Sequence, residues 1–325
     1  MDRAGFRAML LQRGVPDGQI EQALALAERF ERFAGELPTG VDVRAFSAIL
    51  VDEGSNTTDS YVTLARYGWF TRNDPVYVAA VELVDGSEAL ARLYEKLGRS
   101  VGKQVRDEIF AGISLPPLGT PPSDKPRLTQ AVMERLERLV DPETCRQVLS
   151  SGLRDLEDEW YLEERTRYRD SGGIDAYLAR KGEEFIAQLE RLREDGRLYF
   201  TQPITGEVIE FVQAHPEIRQ GVREGNVLYE AKIPYMAQKY LHEADERLKR
   251  YYYCHCPWVR ESLKEGDVAV SPTFCLCSAG FHKKAWEVIF EQPLRAEIVE
   301  TVLQGDPWCK IAIHLPERAL EAVSR

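Results

Sequence analysis

No apolar run in the sequence approaches the ~20 residues that a membrane helix needs. The stretch Met1-Asp2-Arg3-Ala4-Gly5-Phe6-Arg7 lacks the apolar core of a signal peptide. Basic charge is in deficit. The 42 Lys+Arg against 53 Asp+Glu leave a net charge of −11, which argues against nonspecific binding to nucleic acid or an anionic membrane. There is no Gly-x-x-x-x-Gly-Lys phosphate loop, no Gly-x-Ser-x-Gly elbow and no His-Glu-x-x-His. No low-complexity tract interrupts the chain, and the one internal repeat is a doubled Cys-x-Cys. These absences set the expectation of a soluble, cytoplasmic protein with no nucleic-acid or membrane partner. The 325 residues suggest two domains at roughly 150 residues each. With 44% hydrophobic and 29% charged residues, the chain can build a sizeable core.

The first 115 residues read as helical. Phe6, Met9 and Leu10 fall at helical spacing, Gly14-Val15-Pro16-Asp17 breaks the pattern, and Ile20, Leu24, Ala27 and Phe30 resume it. Further helices are expected over Asp42–Val51, after Asn56-Thr57-Thr58-Asp59, after Asp74-Pro75, and around Leu90, Leu93 and Leu97. Residues 113–126 hold five prolines, which helices cannot cross. The expected division is a helical domain over 1–115, a proline-rich linker over 116–126, and an α/β domain over 127–325. In the last of these, helices are expected at Thr129–Val140, Asp141–Leu153 and Ala176–Glu194, with another opened by Pro234. A short strand is expected at Leu198–Thr201, and Glu207–Ala214 reads as helix or strand. Leu294–Leu303 and Trp308–Leu315 read as two strands joined by Gln304-Gly305-Asp306-Pro307, an antiparallel hairpin. The fold class expected is therefore α+β.

Of six cysteines, Cys145 stands alone in a helical pattern and reads as structural. Cys254, Cys256, Cys275, Cys277 and Cys309 gather near the C-terminus, the first four as two Cys-x-Cys pairs. In a reducing compartment such a cluster suits a metal or thiol chemistry better than disulfides. Pro257 and Ser278 each stand ready to start a helix just after a pair. Helix N-termini carry partial positive charge, which favours the thiolate form that binds metal or attacks an electrophile. Zinc is the expected metal, held by Cys254, Cys256, Cys275 and Cys277, with Cys309 as a fifth or replacement ligand. An iron–sulfur cluster is the alternative cofactor. Around them stand His255, Trp258, Arg260, Phe281, His282, Lys283 and Trp286, the expected lining of a small-molecule site. Tyr251, Tyr252, Tyr253, Phe274 and Trp308 add to its aromatic surroundings. His215, His242 and His314 carry no partner pattern.

Three stretches carry a resemblance to a bacterial and archaeal family of unknown function. They are Cys254-His255-Cys256-Pro257-Trp258-Val259-Arg260-Glu261-Ser262, Cys275-Leu276-Cys277-Ser278-Ala279-Gly280-Phe281, and Gly305-Asp306-Pro307-Trp308-Cys309. Leu64–Phe70 and Leu115–Thr120 look like the same family. The ending, with Gly305-Asp306 and Cys309 before an alternating strand, distantly resembles the 4-vinyl reductase domain and aminothiazoline-carboxylate hydrolase-like proteins. The first resemblance implies a compact α/β ligand-binding domain. In sensors of that kind, cysteines and a carboxylate hold zinc near the ligand pocket. The sensor pattern has another cysteine eight positions before the one matching Cys309, where this chain has Thr301, so the remaining ligands must come from the Cys-x-Cys pairs. The leading expectation is thus a sensor-like ligand-binding domain with a thiolate-bound metal. Its rivals are a cysteine- or metal-dependent hydrolase or carbon–sulfur bond enzyme, with His255 or His282 as base, and an interaction module with a structural zinc.

Overall fold

Polar side chains start four of the first five helices, as the sequence leads one to expect, and the second follows Pro16 without such a cap. In the computed structural model, which describes residues 1–266 and 268–319, Asp2 accepts the Gly5 N–H at 2.9 Å and opens α1 (Arg3–Gln12). Helix α2 spans Asp17–Ala34. Thr39 and Asp42 exchange hydrogen bonds in a capping box that opens α3 (Gly40–Asp52), and Thr57 caps α4 (Thr58–Phe70). Asn73 caps α5 (Asp74–Val84), so Asp74 lies inside the helix and Pro75 follows it in the first turn. Gly68 lets α5 approach α4 closely, for a Cβ there would stand 2.5 Å from the Tyr77 backbone nitrogen. The α1–α5 core is built from Phe6, Leu24, Phe30, Phe46, Tyr61, Leu64 and their neighbours.

The proline-rich stretch departs from the expectation of a free linker. Leu115–Lys125 groups with residues 1–87, whereas Glu88–Ser114 groups with Pro126 onward. The reason is hydrogen bonding. Asn56 donates to the Leu118 carbonyl at 2.9 Å, and Ser47 donates to the Gly119 carbonyl at 3.2 Å while bonding the Tyr61 hydroxyl at 2.7 Å. Gly119 has φ +96°, and any Cβ there would collide with Tyr61.

The second unit contains α6 (Ala89–Ser100), α7 (Lys103–Ile109), α8 (Pro126–Leu139), α9 (Pro142–Leu149), α10 (Leu162–Arg169) and α11 (Ile174–Glu194). A two-stranded ribbon, β1 (Leu198–Tyr199) and β2 (Gln202–Pro203), precedes α12 (Gly206–Ala214) and α13 (Pro216–Arg219). Then come β3 (Val222–Glu224), β4 (Val227–Ala231), α14 (Ala237–His242), α15 (Glu246–Tyr253), α16 (Arg260–Glu265), α17 (Leu276–Phe290), β5 (Arg295–Glu300) and β6 (Lys310–His314). The main sheet is antiparallel in the order β3-β4-β6-β5. The two expected C-terminal strands pair antiparallel as β5 and β6, but the nine residues Thr301–Cys309 join them, with a 3-10 turn at Val302–Gln304, rather than the four-residue turn Gln304–Pro307, so Cys309 precedes β6; the chain is mainly helical with small antiparallel sheets near its C-terminus, an α+β fold. The segment opened by Pro234 is two helices rather than one, parted at Glu243–Asp245, where Asp245 caps the second. The expected second region runs to Arg325, of which residues 320–325 lie outside the described residues. No helix among the described residues is long and apolar enough to cross a membrane.

Candidate functional site: a thiol cluster beside a buried carboxylate–histidine pair

β4 and β6 place the site. Ala231 pairs with Lys310 at the end of their ladder, so Lys232 and Cys309 leave the sheet side by side. Tyr253 clamps this end, its hydroxyl donating to the Cys309 carbonyl at 3.1 Å and accepting the Lys232 N–H at 3.3 Å. Cys254 follows Tyr253 directly at the C-cap of α15. Helix α17, which packs on β5 and β6, covers the same end. A 3-10 turn, Pro272–Cys275, leads into it, and Cys275 is its N-cap residue. Ser278 therefore lies inside α17 rather than starting it, because Ser271 and Pro272 begin the turn earlier. Likewise α16 starts at Arg260, after a turn that includes Pro257.

Thr301, fully buried after β5, joins two of the thiols. Its hydroxyl donates to Cys275 Sγ at 3.2 Å and accepts from Cys309 Sγ at 3.8 Å. Burial pushes the Cys275 thiol well up, and Cys309, Cys254 and Cys256 push it further. Cys254 is raised first by burial and then by Cys256 and Cys309. Cys254, Cys256, Cys275 and Cys309 thus form one electrostatically coupled group. Cys277 is pushed up to about 12 by burial and then by Cys256, while Arg154 and Lys232 act against the rise. All six cysteines are free thiols. Among the described residues, no three His, Cys, Asp or Glu side chains are drawn together closely enough to hold a metal ion. Cys145 is apart, buried in the helical core with its thiol pushed up to about 11, chiefly by burial.

A second group lies on the same helix–sheet interface. Glu230 of β4 is buried with its carboxylate fully used. His282 Nδ1 sits 3.0 Å from Oε2, Trp286 Nε1 donates to Oε1 at 3.1 Å, and Lys181 donates to Oε1 at 3.3 Å. Burial alone would hold the proton on this carboxyl, but Lys181, His282 and Trp286 together outweigh it and bring its pKa to about 2. Glu230 is therefore an acceptor, and His282 carries its proton on Nδ1. Burial, with the charges of Lys232 and Lys181, lowers the His282 pKa against the pull of Glu230, so the ring is neutral. The other nitrogen, Nε2, is left with a lone pair. It is buried and has no hydrogen-bond partner among the described residues, and the side chain is only 9% exposed.

His255 is held differently. Its Nε2 lies 2.7 Å from the Ile233 carbonyl, which can only accept, so this nitrogen carries the proton. Burial, followed by the charge of Lys232, lowers its pKa to about 3. Lys232 thus acts on His255, His282, Cys277 and Cys309 together, and its ammonium lies 4.3 Å from the centre of the Phe281 ring. Arg154 lies 5.7 Å from the same ring and is paired with Glu88 at 2.9 Å. Arg260 is buried against the Tyr235 ring at 4.3 Å.

The expected lining therefore divides. Lys232 lies over the Phe281 ring and acts on the His255 and His282 imidazoles, while Arg260 packs on Tyr235. Trp258 and Trp286 are core residues, 2% and 1% exposed, and Lys283 turns away to Glu287 and the Leu294 carbonyl. A surface groove of about 870 Å³ runs past Lys283, Leu276, Leu294 and Gln304 to Thr301. None of the eight aromatic residues expected around the site lines it. Trp308 instead donates to Glu300 at 2.7 Å and packs on His215. Sequence reasoning missed Glu230, Lys232 and Thr301 as parts of this region. The signal for Glu230 was present as a lone acid inside the apolar stretch Val227-Leu228-Tyr229-Glu230-Ala231. No family model, curated protein or solved structure matches the chain.

Proposed function

We propose that the second unit is a small-molecule-binding, sensor-like domain whose clustered thiols take a thiophilic metal, most simply zinc. The observation that supports it is the coupling of Cys254, Cys256, Cys275 and Cys309, with Thr301 bonded to two of them. Buried thiols that raise one another's pKa cannot ionise together unless a cation balances them, and zinc does this for thiolates. The donor set suits zinc chemically. Ligation requires the side chains to turn from their present rotamers, since no three donors are at ligating geometry among the described residues. Cys309 takes the place first expected for Cys277, whose sulfur couples chiefly to Cys256. This arrangement accords with the resemblance of the C-terminal motifs to the 4-vinyl reductase domain and with a cytoplasmic, reducing setting. The rival reading, a cysteine nucleophile, fits less well, because Cys254, Cys275, Cys277 and Cys309 are all shifted away from the thiolate.

Elemental analysis of chelator-free protein expressed with zinc tests the proposal. About one zinc per chain is expected, lost in Cys275→Ser and Cys309→Ser and retained in Cys145→Ser. Wild-type protein without metal above background would overturn it.

A further inference from the structure

Strand β5 is an edge of the main sheet, for among the described residues only β6 pairs with it. One bond on the far side of β6 shows which β5 backbone groups face outward. Leu315 donates to the Asn226 carbonyl at 2.7 Å, so Leu315 faces β4. Backbone groups along an antiparallel strand alternate in direction. Ile313 and Ile311 therefore also face β4, whereas His314 and Ala312 face β5. Their partners there, Arg295 and Glu297, spend their N–H and C=O groups on β6. Ala296 and Ile298 turn theirs away from the sheet, and no other described residue bonds them. One step earlier the same edge is closed. The Leu294 N–H donates to Glu287 Oε1 at 3.0 Å, the Leu294 carbonyl accepts from Lys283 at 2.8 Å, and Lys283 pairs with Glu287 at 2.9 Å.

This edge forms one wall of the groove of about 870 Å³. Consecutive residues Pro293–Ile298 line it, which a strand can do only along its edge, since its side chains alternate between faces. The opposite wall is the α9 face Glu143, Arg146, Gln147 and Ser150. Leu276 also lines the groove and shares an apolar cluster with Leu294, Ala296 and Ile298. The charges along it match one another: Arg146 with Glu143 at 2.8 Å, Lys283 with Glu287, and Arg295 with Glu297 at 3.3 Å. Unpaired edge groups are completed by another extended backbone. The gap before α9 suits a single strand. A second folded copy would arrive with its own α9 in front of its own edge.

We propose that the groove between β5 and α9 takes an extended segment of a partner protein as a fifth, antiparallel strand of the sheet. Its backbone pairs with Ala296 and Ile298. Side chains opposite these two share their face and meet Leu276, so they are apolar. The intervening side chains lie beside Arg295 and Glu297 and are polar. Because the groove's charges are already matched, the segment is uncharged. It has no proline where its N–H groups must pair. The inference uses neither the metal nor the small-molecule reading.

Amide hydrogen exchange of the full chain, read by NMR with the end-capped peptide Ser-Val-Thr-Val-Gln as probe, provides the test. In the free chain the Ala296 and Ile298 amides are expected to exchange at least about tenfold faster than that of Glu297, which bonds β6. Saturating peptide is expected to slow both by at least about tenfold. Methylating the two valine nitrogens of the peptide removes the paired donors and is expected to weaken binding at least about tenfold. Gln147→Trp, at an exposed position of α9, is expected to fill the groove and weaken binding as much, whereas Gln147→Ala retains it. Absence of binding at millimolar peptide overturns the proposal, as does binding that neither the methylated peptide nor Gln147→Trp diminishes. Slow exchange of Ala296 and Ile298 in the free chain also overturns it. Sedimentation then tells a second copy on the edge, seen as a dimer, from a monomer that covers its own edge.

Discussion

Glu230 shows how one residue can order its surroundings. A buried carboxylate is costly unless every oxygen is satisfied, and here an indole, an imidazole and an ammonium satisfy both. Its pKa in the folded chain, about 2, lies below its ordinary 4.5, so on acidification the unfolded chain takes up this proton first. The resulting stability, about 3 kcal/mol by linkage, is complete above pH 4.5 and is lost as the pH falls through about 2. Glu230→Gln should therefore lower stability by about 3 kcal/mol at neutral pH and flatten the acid limb of a stability–pH curve obtained by urea unfolding. An unchanged acid limb would show that the carboxylate does not carry this effect. For His282, a long-range proton–nitrogen NMR spectrum at neutral pH should show Nδ1 protonated and Nε2 bare. The opposite tautomer would contradict the Glu230 contact. The sequence made the cysteines and His282 legible because spacing singles them out. It hid Glu230, Lys232 and Thr301 because an acid, a base and a hydroxyl gain their meaning here from burial and cross-strand placement, which spacing does not carry.

At the scale of elements, α17 positions the site. It contributes Cys275 at its cap, then Cys277, Phe281, His282 and Trp286, and Gly280 sets how deeply it sits. A Cβ at Gly280 would stand 2.8 Å from the Ser150 carbonyl and 3.0 Å from the Gly152 nitrogen, both backbone atoms that cannot swing aside. Gly280→Ala is expected to cost about 1–3 kcal/mol through overpacking, despite the better helix propensity of alanine. A melting temperature equal to or above wild type would show that the Ser150–Gly152 turn yields freely. The helices of the first 87 residues were readable because apolar stripes and caps agree there. The β3–β4 hairpin was not. Val222–Glu224 is only three residues long, its turn is the two residues Gly225-Asn226, and β4 buries a glutamate where alternation predicts an apolar side chain. Gly225, at φ +59°, is the residue that could have revealed the turn. The prolines of 113–126 were read as a stretch that no helix crosses, and it holds only a 3-10 turn at Pro122–Asp124 before α8 opens at Pro126. Hydrogen bonds from Ser47 and Asn56 made it a packed segment, and no local pattern announces partners so distant in sequence.

At the scale of the whole molecule, the chain divides into two units, each with its own hydrophobic cores. A metal held by Cys254, Cys256, Cys275 and Cys309 would stabilise only the second. Chelation of zinc-loaded protein is therefore expected to lower the calorimetric transition of that unit by several degrees, at about 2–4 °C for each kcal/mol in a domain of this size. A transition assigned to residues 1–87 should stay in place. Equal movement of all transitions, or none, would count against a metal confined to the second unit. Trp69 belongs to the first unit and Trp160, Trp258, Trp286 and Trp308 to the second, so near-ultraviolet signals can separate the two. Trp286 offers more than a label for its unit. Its indole N–H ends on the Glu230 carboxylate, Lys181 stands 5.3 Å from its ring, and Phe290 stacks beside it. The excited indole has a large dipole whose emission energy follows the electric field across the ring. A proton gained by Glu230, or a ligand drawing on His282, changes that field. The protein thus contains an intrinsic optical gauge, through which a change at the carboxylate–histidine pair can be read as a shift in colour without any dye or tag.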